Sequence, residues 1–193
     1  ISSLISSIRF RDELLSCSDK EGSYQFYDDG DCSFVSASYG HLDREATEDN
    51  LGFDEDAWRL SAGFHREIAE GWNAGGALRY ERRYLTIDAA NASSDGDQIY
   101  GGVSLKRQFN AIELAAGLAA GYGSFDFERN LIGGFQTTGT QGQLTVAGQA
   151  RASYMFDFGD WFFKPMVNAG FDYFDRSDFT ESGSSALRLV VDG

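Results

Sequence analysis

The sequence predicts an all-β fold: a transmembrane, antiparallel up-and-down β-barrel wall of about eight strands, preceded by a short N-terminal segment. Three observations carry that expectation. Apolar and polar residues alternate with period two through segment after segment. Aromatic side chains cluster at the ends of the apolar runs, with small or aliphatic residues between them, as expected where Trp and Tyr anchor at a lipid interface. Connections between runs alternate between tight turns and long polar stretches rich in Gly, Ser, Asp and Thr.

The 193 residues fit one domain. Hydrophobic residues make up 42% of the chain and the mean hydropathy is −0.34, so no stretch approaches the roughly 18 apolar residues that a spanning helix needs. Barrel strands escape that test, because they alternate lipid-facing and lumen-facing side chains. The formal charge of −14 argues against a nucleic-acid partner, since phosphate binding requires clustered Lys and Arg. The 23 Gly and single Pro suit closely spaced strands better than a helix bundle.

Along the chain, residues 1–30 read as a helix or linker and residues 31–193 as barrel strands. Within the leading part, Ile1 to Ser16 places Leu4, Ile8 and Leu15 near one helical face. A short helix and a disordered linker both fit, since Ser lowers helix propensity. Ile1 to Leu15 lacks the basic start, apolar core and cleavage site of a signal peptide, so the chain reads as a fragment or a processed product. Cys17 and Cys32 are a candidate disulfide of an oxidising compartment, with two unpaired thiols as the alternative.

The strands follow in order. Phe34 to Arg44 is the first. In Trp58 to Phe64, Trp58, Leu60, Ala62 and Phe64 share one face. In Trp72 to Tyr80 the greasy face is Trp72, Ala74, Gly76, Leu78 and Tyr80; its eight steps of about 3.4 Å give roughly 27 Å, or ~19 Å of height at a tilt of about 45°. Ile99 to Phe109 and Ile112 to Tyr122 come next, then the longest alternating run, Gln143 to Phe158. Trp161 to Tyr173 and a short closing run, Ala186 to Val191, complete the set. Ile68 to Gly71, Phe109 to Ala111 and Phe158 to Asp160 are tight turns. Thr47 to Glu55, Asp88 to Asp97, Phe127 to Gly142 and Asp175 to Ser185 are the long connections. In bacterial barrels such turns are periplasmic and such loops extracellular.

The opposite face of these strands carries charge. Alternation puts Arg59, Arg79, Glu81, Glu113, Gln149, Arg151, Lys164, Asn168 and Asp172 there, a mixed-sign set suited to cross-strand ion pairs around a hydrated pore. Those residues could brace the lumen, hold the leading helix or tune ion passage. Catalysis is not expected. His41 and His65 are the only histidines, and no G-x-S-x-G motif accompanies them. No cofactor is expected, and no metal, because two His and two Cys lack ligand spacing. The acidic clusters Asp28-Asp29 and Asp54-Glu55-Asp56 lack calcium-loop order. Gly75-Gly76 and Gly101-Gly102 sit mid-strand, with no following helix to form a phosphate cradle.

With the strands laid out, the chain resembles the C-terminal translocator domain of bacterial autotransporters, the type V secretion barrels. Gly148 to Gly159 followed by Trp161-Phe-Phe-Lys-Pro165 is similar to the family's "g-ar-sY-f" strand turning into "W-l-P". Asp178 to Gly183 resembles its "f-E-Ga" motif, and Gly121 to Asp126 with Arg129 its "gyg-d-R" strand end. Cys17 and Cys32 resemble a bridged segment ahead of strand one. The resemblance implies a barrel of twelve strands, a helix inside the pore (here Ile1 to Ser16), and a passenger delivered to the cell surface. Implied partners are outer-membrane lipid, the passenger and the barrel-assembly machinery. The family ends in a strand with a terminal aromatic, whereas this chain stops at Val190-Val191-Asp192-Gly193. The expectation is therefore a chain cut at both ends. The Asn-Asn junction cleaved in some members is absent from Ile1 to Ser16, so no autoproteolytic residues are expected. The alternative is a complete eight-stranded small barrel with a structural or binding role.

Overall fold

A computed structural model describes residues 2–15, 31–48, 50–131, 134–159, 161–183 and 190–191. Six long strands, β1 (Cys32–Arg44), β2 (Phe53–Ala69), β3 (Trp72–Ile87), β4 (Ala92–Phe109), β5 (Ile112–Leu131) and β6 (Phe135–Tyr154), pair antiparallel in chain order. Two residues, Phe156–Asp157 (β7), pair with Phe162–Phe163 (β8) in a small separate ribbon. The wall resumes with β9 (Met166–Arg176), which lies along the lower part of β6 from Ser153 to Gln143. The chain then leaves the sheet through β10 (Phe179–Thr180) and returns as β11 (Ser182–Gly183) against the upper part of β6. Among the described residues β1 pairs only with β2 and β9 only with β6.

Sidedness follows the predicted phase. Leu78 is 66% exposed, whereas its neighbour Arg79 is 4% exposed. The same outward face carries Leu60, Val103, Leu118 and Val167, all exposed, while Ser61, Gln98, Thr145 and Glu81 on the other face are buried. This is the inverse of a water-soluble sandwich, where the aliphatic face would be the covered one. No helix among the described residues is long and apolar enough to cross a membrane, so any crossing is by strands.

Several expectations are corrected. The long connections Asp88 to Asp97 and Phe127 to Gly142 are largely strand: β3 and β4 meet through a single 3-10 turn at Asp88–Ala90, and β5 and β6 pair as far as Leu131↔Phe135. Outside the apolar band the outward residues become polar and the inward ones are mixed, with Phe125 and Phe127 beside Arg83 and Gln143, so the apolar outward face is lost while backbone pairing continues. β5 and β6 each run 20 residues, about twice the 9–11 that span a bilayer.

The expected strand Trp161 to Tyr173 is split. Pro165 has no N–H to give a ladder, and the wall strand starts after it at Met166. The expected closing strand from Ala186 is also different: Val190–Val191 (β12) pairs with β10, not with β1. Eight-strand closure is absent among the described residues.

The leading helix forms as α1 (Ser2–Leu15) and lies across the inner face of β3 to β6. Its orientation departs from the apolar-face expectation. Leu4 and Ile8 face away, about 40% exposed, while Ser3, Ser6, Ser7 and Arg11 are buried together with Phe10, Leu14 and Leu15. The wall it meets is polar and charged, so the Ser-rich face is the complementary one. Cys32 opens β1 and is engaged in a disulfide. Cys17, the other half of the expected pair, and Asp28-Asp29 lie outside the described residues.

Candidate functional site: the charged inner face and its helix

Residues two apart on a strand share a face, and antiparallel pairing sets inward residues of neighbouring strands side by side. The register puts Arg59 directly opposite Glu81. Their charges meet at 2.7 Å. Glu81 also binds Arg83 on its own strand, and the hydroxyl of Ser6 on α1 lies 2.9 and 2.8 Å from its two carboxylate oxygens. A carboxylate 1% exposed is thus surrounded by two guanidinium groups and a hydroxyl, which offsets the cost of its burial.

Arg79 reaches α1 at three points. Its Nη2 contacts Glu13 at 2.6 Å, its Nη1 donates to the Ser6 carbonyl at 3.1 Å, and its guanidinium lies 5.2 Å from the centroid of the Phe10 ring. Its Nε donates to Ser61 across the strand pair at 3.1 Å.

On the other flank, Asp172 of β9 holds Arg11 at 3.0 Å and accepts from the Ser7 hydroxyl at 2.5 Å. Arg11 continues into the backbone, donating through Nη1 to the carbonyls of Gly148 and Phe171. The next residue, Asp12, accepts from Gln149 at 3.1 Å and sits 3.4 Å from Arg151. Asn168 accepts from both Gln149 and Arg151.

At the C-terminal end of α1, His65 Nε2 lies 2.9 Å from the Leu14 carbonyl. A carbonyl only accepts, so that nitrogen carries the proton. Between these polar anchors Phe10 packs on Tyr100 with centroids 5.4 Å apart. Leu14 and Leu15 press against Gly102 and Gly117; at Gly102 a Cβ would come within 2.8 Å of a Leu14 methyl, so the helix approaches closely only because no side chain is there.

The nine inward residues named from sequence thus fall into three groups. Arg59, Arg79 and Glu81 gather on one side of α1, and Gln149, Arg151, Asn168 and Asp172 on the other. Glu113 and Lys164 pair with each other at 3.1 Å, away from the helix contacts described above. Sequence reasoning missed Arg83, which shares their parity but lies past Tyr80, where the alternation stopped being readable. It also missed Ser6, Ser7 and Arg11, whose roles depend on the helix presenting its polar face. Beyond Ser3 the inner face opens into a cavity of about 290 Å³ lined by Glu55, Arg83, Phe125 and Arg176 among others.

The outward rim past the apolar band carries a different cluster. Asp56 accepts from the Tyr39 hydroxyl and from His41 Nδ1 at 2.9 Å. The Tyr39 hydrogen bond, then that of His41, holds the Asp56 carboxyl below its usual range, and the bond to Asp56 raises His41 above the usual imidazole value. Along the same rim, Arg82 lies 3.5 Å from Asp95 and 3.7 Å from Asp97. Among the described residues no three metal-ligating side chains converge.

Comparison with known proteins bears on this arrangement. The translocator domain of the autotransporter NalP from Neisseria meningitidis superposes with a TM-score of 0.76 at 14% identity, covering 99% of this chain. The β-domain of the Bordetella autotransporter BrkA gives 0.55 at 20% identity over 85% of this chain. At those identities the likeness is one of fold. The chain spans 63% of the NalP domain's length and 66% of BrkA's. No curated protein matches the sequence. The family model for the autotransporter β-domain matches residues 33–193, from the second residue of β1 onward, and the chain belongs to that family.

Proposed function

We propose that this chain is the outer-membrane translocator and anchor of an autotransporter, delivering an N-terminal passenger to the cell surface. The β-domains of this family reside in the bacterial outer membrane. The observation that carries the reading is the pairing of opposites across one wall: the outward face is aliphatic and exposed, while the inward face is charged and holds a polar helix. Such a wall is stable where lipid meets one side and water the other.

On this reading residues 1–30 are the segment that threads the lumen, and 31–193 form wall strands. Arg59, Arg79, Glu81, Glu113, Gln149, Arg151, Lys164, Asn168 and Asp172 line the pore. Arg79, Glu81, Gln149, Arg151 and Asp172 hold α1 by hydrogen bonds and ion pairs that water can replace one at a time, beside the smaller apolar contact that Phe10, Leu14 and Leu15 make with the wall. The tight hairpins at Gly71 and Asn110 face the periplasm, and the far strand ends, with their acidic rim, face outward. A Cys17–Cys32 bridge would tie the threading segment to the start of β1. The barrel-assembly machinery inserts the domain, and the barrel itself performs no catalysis.

The test uses the full reading frame expressed in Gram-negative cells. Protease added outside intact cells is expected to degrade or release the passenger. A passenger that becomes sensitive only after the outer membrane is permeabilised would contradict delivery to the surface.

A further inference from the structure

On the outward face, near the short-turn end, the wall is dented. The register sets Trp72, Arg107, Leu114, Ala152 and Val167 in one row across β3, β4, β5, β6 and β9, with Ala74, Leu105, Ala116, Ala150 and Ala169 in the row behind it. The four alanines of β5, β6 and β9 leave a floor, and Leu105, Leu114, Val167 and Trp72 stand as walls. The resulting groove is about 550 Å³ and almost wholly apolar.

At its mouth stands an arginine, the residue type a lipid-facing strand is least suited to carry near mid-bilayer. The guanidinium of Arg107 lies 4.5 Å from the Trp72 ring centroid and 4.2 Å from that of Phe109. Aromatic stacking engages the flat faces of a guanidinium and leaves its N–H edges available. Among the described residues no carboxylate pairs with it. Its row-mates are Trp72, Leu114, Ala152 and Val167, whose side chains offer no hydrogen-bond acceptor. A fixed positive charge is therefore held three residues from the hairpin turn at Asn110, over a slot that is almost wholly apolar.

We propose that this groove is a binding site for an anionic glycerophospholipid, with one acyl chain along the alanine floor and the phosphate on the N–H edge of Arg107. The site rests on the membrane reading above, since it faces lipid only if the outward face does. Charge complementarity selects the occupant: a phosphodiester supplies paired oxygen acceptors at headgroup depth, and its chains supply the apolar body. A zwitterionic lipid would fill the slot but offers no net charge to Arg107.

The test uses the full-length protein in phosphatidylcholine vesicles doped with brominated phosphatidylglycerol or brominated phosphatidylcholine. Trp72 fluorescence is read in a background where Trp58 and Trp161 are Phe. Quenching by both lipids is expected, with about fivefold stronger apparent affinity for the phosphatidylglycerol, the preference that one interfacial cation supplies. The preference should vanish in Arg107→Gln and persist in part in Arg107→Lys. It should be lost in Ala150→Phe, which fills the groove and keeps the charge. Excess inorganic phosphate should not compete. Heat-dependent gel mobility confirms folding of each variant. Quenching without headgroup preference, or a preference unchanged by Arg107→Gln or Ala150→Phe, overturns the site and leaves the membrane reading intact. Absence of quenching by either lipid overturns both.

Discussion

The hydroxyl of Ser6 lies within 2.9 Å of both carboxylate oxygens of Glu81, joining α1 to the most deeply buried acid of the wall. Because Glu81 also neutralises Arg59 and Arg83, the two ends of this contact are unequal. Ser6→Ala should cost about 1–2 kcal/mol, whereas Glu81→Gln, which removes the carboxylate from buried Arg59 and leaves Arg83 with Glu55 alone at 3.7 Å, should cost about 3–5 kcal/mol. The shift of the heat-induced mobility transition measures both. Planar-bilayer conductance should rise in Glu81→Gln as the helix loosens; equal effects of the two variants would sink the hub assignment.

Gly75 and Gly76 are adjacent and face opposite ways, which makes them a matched pair. A Cβ at Gly75 would overlap the His65 ring, and the ring would have to leave the Leu14 carbonyl; at Gly76 the nearest atom is 3.5 Å away. Gly75→Ala should destabilise by about 1–3 kcal/mol and Gly76→Ala by under about 0.5 kcal/mol. Denaturant titration of the refolded protein reads the contrast, and a reversed order would contradict the inward placement of His65.

Much of this wall is readable from sequence, because burial on one side writes its phase into every second residue. Leu78 and Arg79, or Gln149 and Ala150, could be assigned to faces without coordinates. Strand ends could not be. Past Tyr80, Ile99 and Tyr122 the outward positions become Arg82, Asp97 and Ser124, while inward ones such as Leu85 and Phe125 turn apolar, so the greasy outward face that marks a wall strand is lost while its hydrogen bonds continue. The helix was legible as an element but not in orientation. An amphipathic reading presumes an apolar wall, and here the wall offers Glu81, Arg79 and Asp172.

Leu118 sits in the middle of the outward apolar band, 61% exposed. Leu118→Arg should cost about 2–4 kcal/mol in lipid, as a cation near the bilayer midplane does. Urea unfolding from vesicles checks it; a change within experimental error would argue that this face never meets lipid.

Spin labels at positions 78 and 79 should divide cleanly. A label replacing Leu78 should be relaxed by oxygen partitioned in the bilayer, and one replacing Arg79 should not. Equal relaxation at both positions would rule out the assigned phase of β3.

His41 should titrate above the usual imidazole value, because its hydrogen bond to Asp56, with the charges of Asp56, Asp54 and Asp43 adding and desolvation opposing, favours the protonated ring. Since the folded value is the raised one, the contact contributes fully below the unfolded pKa of about 6.5 and is lost as pH rises through the folded value. Asp56→Asn should bring the titration back toward the ordinary range, measured by NMR of the ring protons. An unchanged midpoint would exclude the pair.

The extra length of β5 and β6 divides the wall into two regimes. At the short-turn end the outward face is apolar down to Trp72 and Phe109, and on the membrane reading its energy changes with acyl-chain length through hydrophobic mismatch. At the other end the outward residues are polar. Tyr80 with Asp97, Thr140 with Asp126, and Arg82 between two aspartates hold the outer surface by exposed polar contacts. Such contacts weaken with ionic strength, over a screening length of about 8 Å at physiological salt. One rim of the same sheet is therefore tuned by membrane thickness and the other by salt.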